Sequence, residues 1–306
     1  MNASPRVTAI VLSWNGCDRT LACLRSLEAV TYAPFTVLVV DNGSSDGSAD
    51  AVAQGHLGVT LVRLPENVGF AGGMNAGMES AFAEGADAVV LLNNDMEVDP
   101  GFVAPLAAAA SADPACAAAC SQILFDVDPP RIWYAGARFR RNRGHGGRNV
   151  GYGQPPLPQS APAYLTDRAC GGAMYLTSEA FGRIGPFDED LFAYAEDTDW
   201  SLRAQRSGLH CLVVPASAVR HSVSGSSGGE SSPTSIYYSL RNSLVVAERW
   251  APLGPVRTWL RRLEAVSAYA VQAMLSGRRA DGMSAVRAAW RDFRHGQLGP
   301  RSTQRI

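Results

Sequence analysis

A short apolar segment of the chain ends in two amides and an acid. Residues 88–92, Ala-Val-Val-Leu-Leu, run directly into Asn93, Asn94 and Asp95. An apolar run of this length between polar residues predicts a fully buried strand. Open α/β sheets bind their ligands beyond the carboxyl ends of the strands, which is where these side chains would lie. With no Lys or Arg beside it in sequence, the Asp95 carboxylate suits a hard divalent cation, Mg²⁺ or Mn²⁺.

Three further polar clusters occur where strands are predicted to end. One such cluster alone would indicate a turn, since Gly, Asn and Asp dominate turns. In a parallel sheet, however, all of them converge on one rim. Trp14 and Phe70 could flank a base, Asp41 could accept hydrogen bonds from a base imide or a ribose, and a Gly-rich turn admits a ligand close to the backbone. The clusters are Ser13-Trp14-Asn15, Asp41-Asn42-Gly43-Ser44 and residues 67–73.

A second constellation is a run of six acids within residues 188–199. Like charges this close raise one another's pKa when they are partly buried, which suits a general base that works near neutral pH. The alternative is that Asp197 and Asp199 begin a helix and complement its dipole. The glycines Gly171 and Gly172 before the acids, and the helix predicted after them, favour a pocket.

Strands that alternate with helices must position these groups. Apolar runs predict buried strands at 7–12, 36–40, 59–64 and 86–92, and segments with helical spacing separate them. The fold class is therefore α/β, with a mostly parallel sheet flanked by helices. Further strands are predicted at 132–139 (with a turn at 144–147), 173–176 and 212–214. Helices are predicted at 20–27, 48–54, 75–84, 102–112, 178–184, 198–207, 233–249, 256–275 and 282–294.

Two domains are predicted, with a boundary near residue 235. A catalytic domain spans 1–235, with a donor half at 1–100 and an acceptor half at 101–235. A C-terminal helical segment spans 236–306. The Gly/Ser-rich residues 222–232 near the boundary have the composition of a mobile lid or of a plain linker.

Charge is distributed unevenly along the chain. There is no Lys, and residues 241–306 carry 12 Arg and four acids, a net charge of +8 in a chain whose total is −1. A basic segment of this kind fits an anionic lipid or a phosphate-bearing partner, although a solvated helical face would have the same composition. Five arginines between 138 and 148 could likewise grip a diphosphate or an acidic glycan, or cover a solvated hairpin. They are Arg138, Arg140, Arg141, Arg143 and Arg148.

Several classes of protein are excluded or disfavoured. The apolar runs are shorter than the roughly 18 residues of a membrane span, and the N-terminus lacks a basic segment followed by an apolar one, which predicts a cytoplasmic protein. The six cysteines form no Cys-x-x-Cys pair and are expected to be reduced. No Gly-x-Gly-x-x-Gly follows the first strand, and a P-loop would need a Lys. The Arg-rich tail lacks the interleaved aromatics of a nucleic-acid-binding module.

The motifs resemble those of family 2 glycosyltransferases, which have the nucleotide-sugar-binding GT-A type fold, and are nearest the bacterial rhamnosyltransferase-like branch. The resemblance covers about residues 7–249, and its motifs are more specific for the family than for any one sugar. The residues that carry it are 39–44, 67–75, 92–95, 187–188 and 196–199.

The resemblance implies an inverting, metal-dependent transfer of a sugar to a hydroxyl of a glycan, glycolipid or natural-product acceptor. It implies Asp197 as the catalytic base, and Asp95 with His221 as ligands of Mn²⁺ or Mg²⁺. Asn93 stands where the family's metal motif has its first acid. The implied donor-binding residues are Ser13, Trp14, Asn15, Asp41, Asn42, Arg63, Asn67, Gly69, Phe70, Ala71, Asn75, Asn93 and Asn94. The implied acceptor-binding residues are Gly171, Gly172, Glu196 and Trp200.

The leading expectation for the donor is dTDP-rhamnose. A UDP-sugar such as UDP-galactofuranose is the alternative within the family, and a non-catalytic nucleotide-sugar-binding or scaffold protein is the alternative outside it. Among acceptors, a lipid-diphosphate-linked sugar at the inner membrane face would use the basic C-terminal helices for peripheral contact. A homodimer is a further partner to be considered, and nucleic acid is not expected.

Overall fold

A computed structural model describes residues 4–55, 58–139, 147–222 and 231–301. The described residues form a mixed ten-stranded sheet packed by helices, a separate two-stranded sheet and a group of C-terminal helices. The strands are β1 (Val7–Ser13), β2 (Phe35–Asn42), β3 (Val59–Leu64), β4 (Ala88–Asn93), β5 (Met96–Val98), β6 (Cys116–Phe125), β7 (Arg131–Tyr134), β8 (Ala137–Phe139), β9 (Gly147–Asn149), β10 (Tyr164–Thr166), β11 (Ala173–Thr177) and β12 (His210–His221). The helices are α1 (Cys17–Glu28), α2 (Ser48–Gly55), α3 (Gly69–Ala83), α4 (Val103–Ala112), α5 (Ser178–Ile184), α6 (Glu196–Arg206), α7 (Pro233–Trp250), α8 (Pro255–Leu275) and α9 (Arg279–Arg294).

The first four strands form the parallel half of the sheet. β1 lies between β2 and β4, β3 lies outside β2, and all of these pairs are parallel. Every residue of β1 is buried, as expected for a strand covered on both faces. The four strands predicted from the apolar runs are therefore confirmed, and α1, α2 and α3 connect them.

The second half of the sheet is mixed. β11 runs antiparallel between β4 and β6, whereas β12 runs parallel to β6. Strand β6 is not among the predicted strands, since it is rich in Ala and Cys and poor in the β-branched residues that favour strands. Its first nine residues are buried between neighbouring strands, so tertiary packing decides its conformation.

β12 is much longer than the predicted strand at 212–214. Its pairing with β6 shifts register between Val214 and Ala218 and then resumes as far as His221. Inside the irregular segment, the Ser217 hydroxyl donates to the carbonyl oxygen of Phe102 at 2.8 Å and bonds the Ser121 hydroxyl at 2.7 Å. The bulge therefore extends the strand to the edge of the sheet, where His221 is its last residue.

Helix α3 begins at Gly69, earlier than the predicted start at Asn75. The predicted Gly-rich turn is a helical segment in close contact with the sheet. A Cβ on Gly73 would lie 2.4 Å from a methyl carbon of Leu12, and one on Gly77 would lie 2.5 Å from a methyl carbon of Ile10. These glycines thus permit close helix–sheet packing, and composition alone does not distinguish this use from a turn.

The C-terminal helices have an apolar core of their own. It includes Ile236 and Leu244 of α7, Ala273 of α8 and Val286 of α9, and it also contains Phe192 from the loop before α6. The Ser232 side chain caps α7 by accepting from the Ser235 N–H at 3.0 Å, with Pro233 in the first turn, as predicted.

Other predictions are confirmed in part. Residues 132–139 belong to β7 and β8, and β8 pairs with β9, but most of the turn predicted at 144–147 lies outside the described residues. The same holds for Arg140, Arg141 and Arg143, and for residues 223–230 of the Gly/Ser-rich loop. The six cysteines are free thiols. Among the helices in the described ranges, none has the length and apolar character needed to cross a bilayer.

Candidate active site

A cavity of about 530 Å³ lies at the carboxyl ends of β1 and β4. Residues predicted from separate parts of the chain meet there, as expected for strand ends that converge on one rim. The predicted residues that line it are Trp14, Asn42, Asn67, Gly69, Phe70, Asn93, Asn94, Asp95, Gly171, Gly172, Glu196, Asp197 and His221.

Asp95 and His221 form a buried pair in this cavity. β5 and β12 are antiparallel, with His221 opposite Met96, so Asp95 lies beside the histidine. Nε2 of His221 is 3.3 Å from Oδ1 of Asp95, and each side chain is only 9% exposed. Within the described residues, Oδ1 of Asp95 and Nδ1 of His221 have no hydrogen-bond partner. The ring of Trp133 packs edge-on against the imidazole, with the ring centroids 4.7 Å apart.

This pair fits a divalent cation. Adjacent ligands of an octahedral ion, each about 2.1 Å from it, lie about 3 Å apart, which is close to the separation of the two atoms. Oδ1 of Asp95, a buried oxygen without a hydrogen-bond partner among the described residues, is costly unless a ligand satisfies it. Across the described ranges, no group of three or more His, Cys, Asp or Glu side chains could hold a metal. The protein would therefore supply two ligands, and Mn²⁺ tolerates the imidazole better than Mg²⁺ does.

Asp197 lies in the first turn of α6, after a loop with an unusual backbone. Phe192, Tyr194 and Ala195 have φ angles of +63°, +67° and +71°, in the left-handed region. Such conformations are costly for residues other than Gly and persist only where the surroundings determine them.

The side chain of Asn242 on α7 supplies this determination. Its Nδ2 atom lies 2.7–2.8 Å from the carbonyl oxygens of Leu191, Ala193 and Tyr194. Nη2 of Arg241 contacts the Leu191 oxygen as well, at 3.2 Å. The C-terminal helices therefore fix the backbone that carries the acid into the cavity.

The carboxylate of Asp197 has few contacts with the rest of the described chain. Oδ1 accepts from the Thr198 hydroxyl at 3.2 Å, and Oδ2 accepts from the Gly171 N–H at 3.5 Å. Nε of Arg168 is 3.9 Å from Oδ2. In contrast, Asp199 is paired with Arg203 and Arg249. The two predicted roles of the acidic stretch thus fall on different residues: Asp199 is structural, whereas Asp197 faces the cavity.

Glu196 is buried beside Asp197. Burial and the neighbouring Asp197 charge raise the pKa of Glu196 to about 8, against the opposing effect of Arg168. Its Oε2 atom has no hydrogen-bond partner in the described part of the chain. Near neutral pH this carboxyl therefore retains a proton.

An asparagine network shapes the donor half of the cavity. Nδ2 of Asn42 donates to Oδ1 of Asn67 at 3.1 Å and to the Gly69 oxygen at 2.9 Å, and its Oδ1 accepts from the Val68 N–H at 3.0 Å. Oδ1 of Asn67 accepts from the Gly69 N–H at 2.8 Å. Gly69 has a φ of +83°, and a Cβ there would lie 2.3 Å from the Phe192 oxygen. This position requires glycine.

Two predicted donor residues support the rim without lining the cavity. The Ser13 hydroxyl bonds the Thr20 hydroxyl at 2.9 Å, and the amide of Asn94 donates to Thr20 and to the Asn15 oxygen. Asn15 also accepts from the Ser45 N–H at 3.0 Å. Ser13 and Asn15 therefore position the loops around the site.

Other predicted residues occupy different places. Arg63 is an exposed strand residue paired with Asp50 at 2.8 Å. Asn75 bonds the backbone of Phe187, and Trp200 is buried with its Nε1 donating to the Gly185 oxygen at 2.9 Å. These three have structural partners and do not line this cavity, so their predicted ligand contacts stay predictions. Two more are not among the residues that line the cavity: Ala71 is fully buried, and Asp41 is buried at the end of β2 with Oδ1 lacking a partner among the described residues.

The acceptor-side glycines are needed for close approach. A Cβ on Gly171 would lie 3.1 Å from the Phe70 ring, and one on Gly172 would lie 2.9 Å from the terminal methyl of Met96. Several residues that line the cavity had no sequence signal, because they come from short strands, irregular segments or a helix face. They include Trp133, Asn149, Arg168, Tyr194 and Tyr238.

The geometry can now be compared with known proteins. The family model described as Glycosyl transferase family 2 matches residues 8–175. The chain belongs to glycosyltransferase family 2. An N-acetylglucosaminyl-diphospho-decaprenol L-rhamnosyltransferase of Mycobacterium tuberculosis is 30% identical over 225 residues, which covers 67% of this chain and 72% of that protein. The dTDP-rhamnosyl transferase RfbF of Shigella flexneri is 25% identical over 220 residues, covering 70% and 71%. Both relatives place this glycosyltransferase near the rhamnosyltransferase-like branch.

Solved structures agree with the fold. GalNAc-T7 with UDP, GalNAc and Mn²⁺ superposes with a TM-score of 0.65 at 17% identity over 95% of this chain, which spans 56% of that chain's length. The mannosyltransferase PcManGT from Pyrobaculum calidifontis, in complex with GDP-Man and Mn²⁺, gives 0.57 at 20% identity over 96% of this chain and 84% of that one. The family 2 chain therefore has a GT-A fold.

Proposed function

We propose that this family 2 glycosyltransferase moves L-rhamnose from dTDP-rhamnose to a hydroxyl of a lipid-diphosphate-linked sugar, with inversion and with a divalent metal. The observation that carries the proposal is the meeting of Asp197 with the Asp95–His221 pair in one cavity. Two of the relatives are rhamnosyltransferases by name, and one name specifies a diphospho-decaprenol acceptor. The catalytic and donor-binding roles given below are part of the proposal.

Asp197 is the proposed general base. As the acceptor oxygen forms its bond to the anomeric carbon, its proton passes to the Asp197 carboxylate. The bond from that carbon to the diphosphate breaks, and the diphosphate leaves with the electron pair. The few contacts of the carboxylate, with Thr198, Gly171 and Arg168, leave room for an acceptor hydroxyl.

The metal pair supports the leaving side of the reaction. Asp95 and His221 would hold Mn²⁺ or Mg²⁺, and the remaining ligands would be diphosphate oxygens and water. A bound cation of this kind neutralises charge on a departing diphosphate. His221 is held by the end of β12 and by the Trp133 ring, so its imidazole is in place before any ligand binds.

The nucleotide is assigned to the rim formed by the first three strands. Trp14 and Phe70 provide flat surfaces that can flank a base. Asp41 has a buried oxygen without a partner in the described chain, which fits its predicted bond to the base. Asn42, Asn67 and Gly69 form the rigid wall against which the donor would rest.

The acceptor sugar is assigned to the side of Gly171, Gly172 and Glu196, next to the base. Because Glu196 keeps its proton near neutral pH, it can donate a hydrogen bond to a sugar oxygen. Trp200, which is buried and bonded to the Gly185 oxygen, would support the acceptor side through packing.

Peripheral contact with the inner membrane face, from a cytoplasmic location, is proposed for α8. Apolar side chains along it are about half exposed or more, and positions 256, 260, 263, 271 and 274 fall on one stripe. An apolar stripe on a basic helical segment is typical of helices that lie in a membrane interface. The exposed residues are Val256, Trp259, Leu260, Leu263, Val271, Met274 and Leu275.

Vesicle flotation tests the membrane proposal. The protein should float with vesicles that contain anionic lipid, and Leu260→Ser with Leu263→Ser should reduce the bound fraction severalfold. If the protein does not bind the vesicles and sediments as a dimer, and if the same two changes produce a monomer, then α8 belongs to a homodimer interface instead.

Donor specificity is tested by turnover and binding together. The purified chain is supplied with Mn²⁺, a prenyl-diphosphate-linked N-acetylglucosamine acceptor and a panel of dTDP- and UDP-sugars. We expect transfer from dTDP-rhamnose. A preference for UDP-galactofuranose would favour the second donor, which a galactofuranosyltransferase GlfT1 of Mycobacterium tuberculosis, 29% identical over 211 residues, also suggests. Donor binding without turnover of any acceptor would indicate a non-catalytic binding protein.

A further inference from the structure

A second cavity, also of about 530 Å³, lies between the C-terminal helices and the loop that precedes α6, which contributes Tyr194 and Ala195. α7 contributes Ser239 and Ser243, α8 contributes Arg261 and Tyr269, and Arg148 of β9 closes one side. None of these residues has a place in the donor and metal arrangement described above, except that Ser239 lines both cavities.

Arg261 is the most informative residue in this cavity. It is only 7% exposed, and its Nε and Nη2 atoms have no hydrogen-bond partner in the described part of the chain. Its Nη1 atom donates to the Ala251 oxygen at 2.7 Å, at the end of α7. A buried guanidinium with two nitrogens that lack acceptors is costly unless a ligand binds them.

Charge around Arg261 points to the kind of acceptor. Burial lowers the pKa of Arg261, and Glu248, which opposes this effect, is itself bound to Arg262 at 2.6 Å. Glu264 is the single acid in the cavity wall, against Arg148, Arg168 and Arg261. The cavity therefore has an excess of positive charge.

The other two arginines also have donors to spare. Nε of Arg168 is buried without a hydrogen-bond partner among the described residues, although it lies 3.9 Å from the Asp197 carboxylate, and Nη2 donates to Asn149. Arg148 forms no ion pair within the described ranges and stands opposite Arg138 across the β8–β9 pair. Arg138 itself lies 4.0 Å from the Asp167 carboxylate, which leaves Arg148 as the cation of this pair without an acidic partner in the described chain. An anion between this surface and Arg261 would pair with Arg148.

The second cavity continues into the first. Arg168, Tyr194, Ala195 and Ser239 line both. A molecule whose hydroxyl lies at Asp197 can therefore extend an anionic group past Arg168 toward Arg261. Guanidinium groups bind phosphate oxygens through paired hydrogen bonds, whereas the neutral sugar itself needs no cation.

We propose that the second cavity binds the diphosphate of the acceptor, with Arg148, Arg168 and Arg261 as its ligands. This inference rests on the proposed function, because it places the sugar of a diphosphate-linked acceptor at Asp197. It assigns to α7 and α8 a role in selecting the acceptor. The exposed face of α8 lies on the same helix as Arg261, so a lipid chain attached to the diphosphate would leave toward the proposed membrane surface.

Direct binding is the first test and does not require turnover. Calorimetry in metal-free buffer measures the affinity of the full chain for inorganic pyrophosphate and for farnesyl diphosphate. We expect Arg148→Gln and Arg261→Gln to weaken binding of both probes about tenfold or more, as for the loss of a hydrogen bond to a charged group. Arg287→Gln, an exposed change on α9, is the matched control and should leave the affinity unchanged.

The result that overturns the proposal is equally specific. Binding that survives both arginine changes, or that is lost only with His221→Ala, would assign the probe to the donor cavity. Arg148 is exposed, so its change keeps the test valid even where Arg261→Gln fails to fold. If farnesyl diphosphate binds more tightly than pyrophosphate, and if Arg148→Gln weakens the binding of both probes, the anion comes from a lipid-linked molecule.

Kinetics then separates the acceptor subsite from the proposed activity. With transfer established, the two arginine changes should raise KM for a prenyl-diphosphate-linked acceptor about tenfold or more. KM for the sugar donor and KM for a neutral alkyl glycoside acceptor should stay the same. Equal effects on both acceptors would contradict the proposal. Loss of probe binding in the variants without transfer from any donor would support the anion site and contradict the proposed function.

Discussion

Nε2 of His221 lies 3.3 Å from Oδ1 of Asp95, at the edge of the sheet where β12 pairs with β5. The two residues are far apart in sequence. Their contact depends on the bulge that allows β12 to extend as far as His221. Both side chains are buried and retain atoms without hydrogen-bond partners within the described ranges. The separation and burial of these two side chains fit a divalent cation.

His221→Ala should weaken metal-dependent activity severely. Among the described residues the candidate ligands are Asp95 and His221, so loss of the imidazole leaves a single carboxylate and the ligands that a donor diphosphate brings. We expect the Mn²⁺ concentration for half-maximal activity to rise by about tenfold or more, since ligand changes of this kind alter metal affinity strongly. Titration of activity with Mn²⁺, and calorimetry of Mn²⁺ with a bound nucleotide diphosphate, measure the effect.

The chain contains a matched control for this change. His210 pairs with Asp113 at 2.7 Å, away from the cavity, so His210→Ala removes an imidazole beside a carboxylate without touching the site. An unchanged Mn²⁺ requirement in His221→Ala would mean that Asp95 and the diphosphate suffice.

Asp197→Asn should abolish transfer and keep donor binding. The amide has almost the same shape and can still accept from Thr198, but it cannot take the acceptor proton. Loss of a general base typically costs about 10²- to 10⁴-fold in rate. The rate of transfer and the affinity for the nucleotide sugar are the two measurements, and Asp190→Asn, an exposed change in the same acidic stretch, is the control. Turnover near the original rate would remove Asp197 from the role of base.

The sequence could predict those parts of the site that follow a strand. Asn93, Asn94 and Asp95 follow an apolar run, and their position at the sheet rim follows from the parallel topology. Arg168 and Trp133 could not be predicted in this way, since they reach the cavity from an irregular segment and from an edge strand. Arg63, Asn75 and Trp200 had suitable chemistry, but only the structure reveals that each already has a structural partner.

The C-terminal helices illustrate a second limit. Their spacing predicts α7, α8 and α9 with nearly correct bounds. It does not predict that Asn242 binds the loop before α6, because a polar residue on a helix gives no sign of which backbone it will contact. Strand β6 was missed for the opposite reason: its Ala-rich sequence has weak local preference, and burial among its neighbours decides its conformation.

Glu196→Gln should change how stability depends on pH. The carboxyl of Glu196 ionises near its ordinary pKa of 4.5 in the unfolded chain, whereas in the folded protein its pKa is raised to about 8. Between these values the folded state holds a proton that the unfolded state has lost, so stability falls as pH rises from about 4.5 to about 8. The amide removes this dependence, and the variant should gain on the order of 1–3 kcal/mol at pH 8 relative to the original protein.

Denaturant unfolding at several pH values measures this difference. Glu179→Gln, an exposed change at the start of α5, is the control and should leave the pH profile as it is. Parallel profiles for Glu196→Gln and the original protein would contradict the assignment of a buried, protonated carboxyl next to Asp197.

Gly69→Ala should damage both the fold and the donor site. Gly69 has a φ of +83°, which costs a residue with a Cβ about 1–2 kcal/mol. The added carbon would also lie 2.3 Å from the Phe192 oxygen, which is backbone and accepts from the Ala71 N–H at 3.1 Å. Relief of this clash must move either the start of α3 or the loop that contains Phe192 and precedes α6, the helix of Asp197. We therefore expect a loss of more than about 2 kcal/mol in the free energy of unfolding, together with weaker donor binding.

Gly182→Ala separates the effect of position from that of the residue type. Gly182 lies in α5 with nothing within 4 Å of an added Cβ, so alanine there should be neutral or stabilise the helix by up to about 1 kcal/mol. Denaturant unfolding of both variants, with calorimetry of a nucleotide sugar for Gly69→Ala, makes the comparison. If the two changes had equal effects on stability, the close approach of Gly69 to Phe192 would not constrain the site. If donor affinity falls in Gly69→Ala and not in Gly182→Ala, the approach of Gly69 to Phe192 sets the distance between the donor wall and the loop that precedes α6.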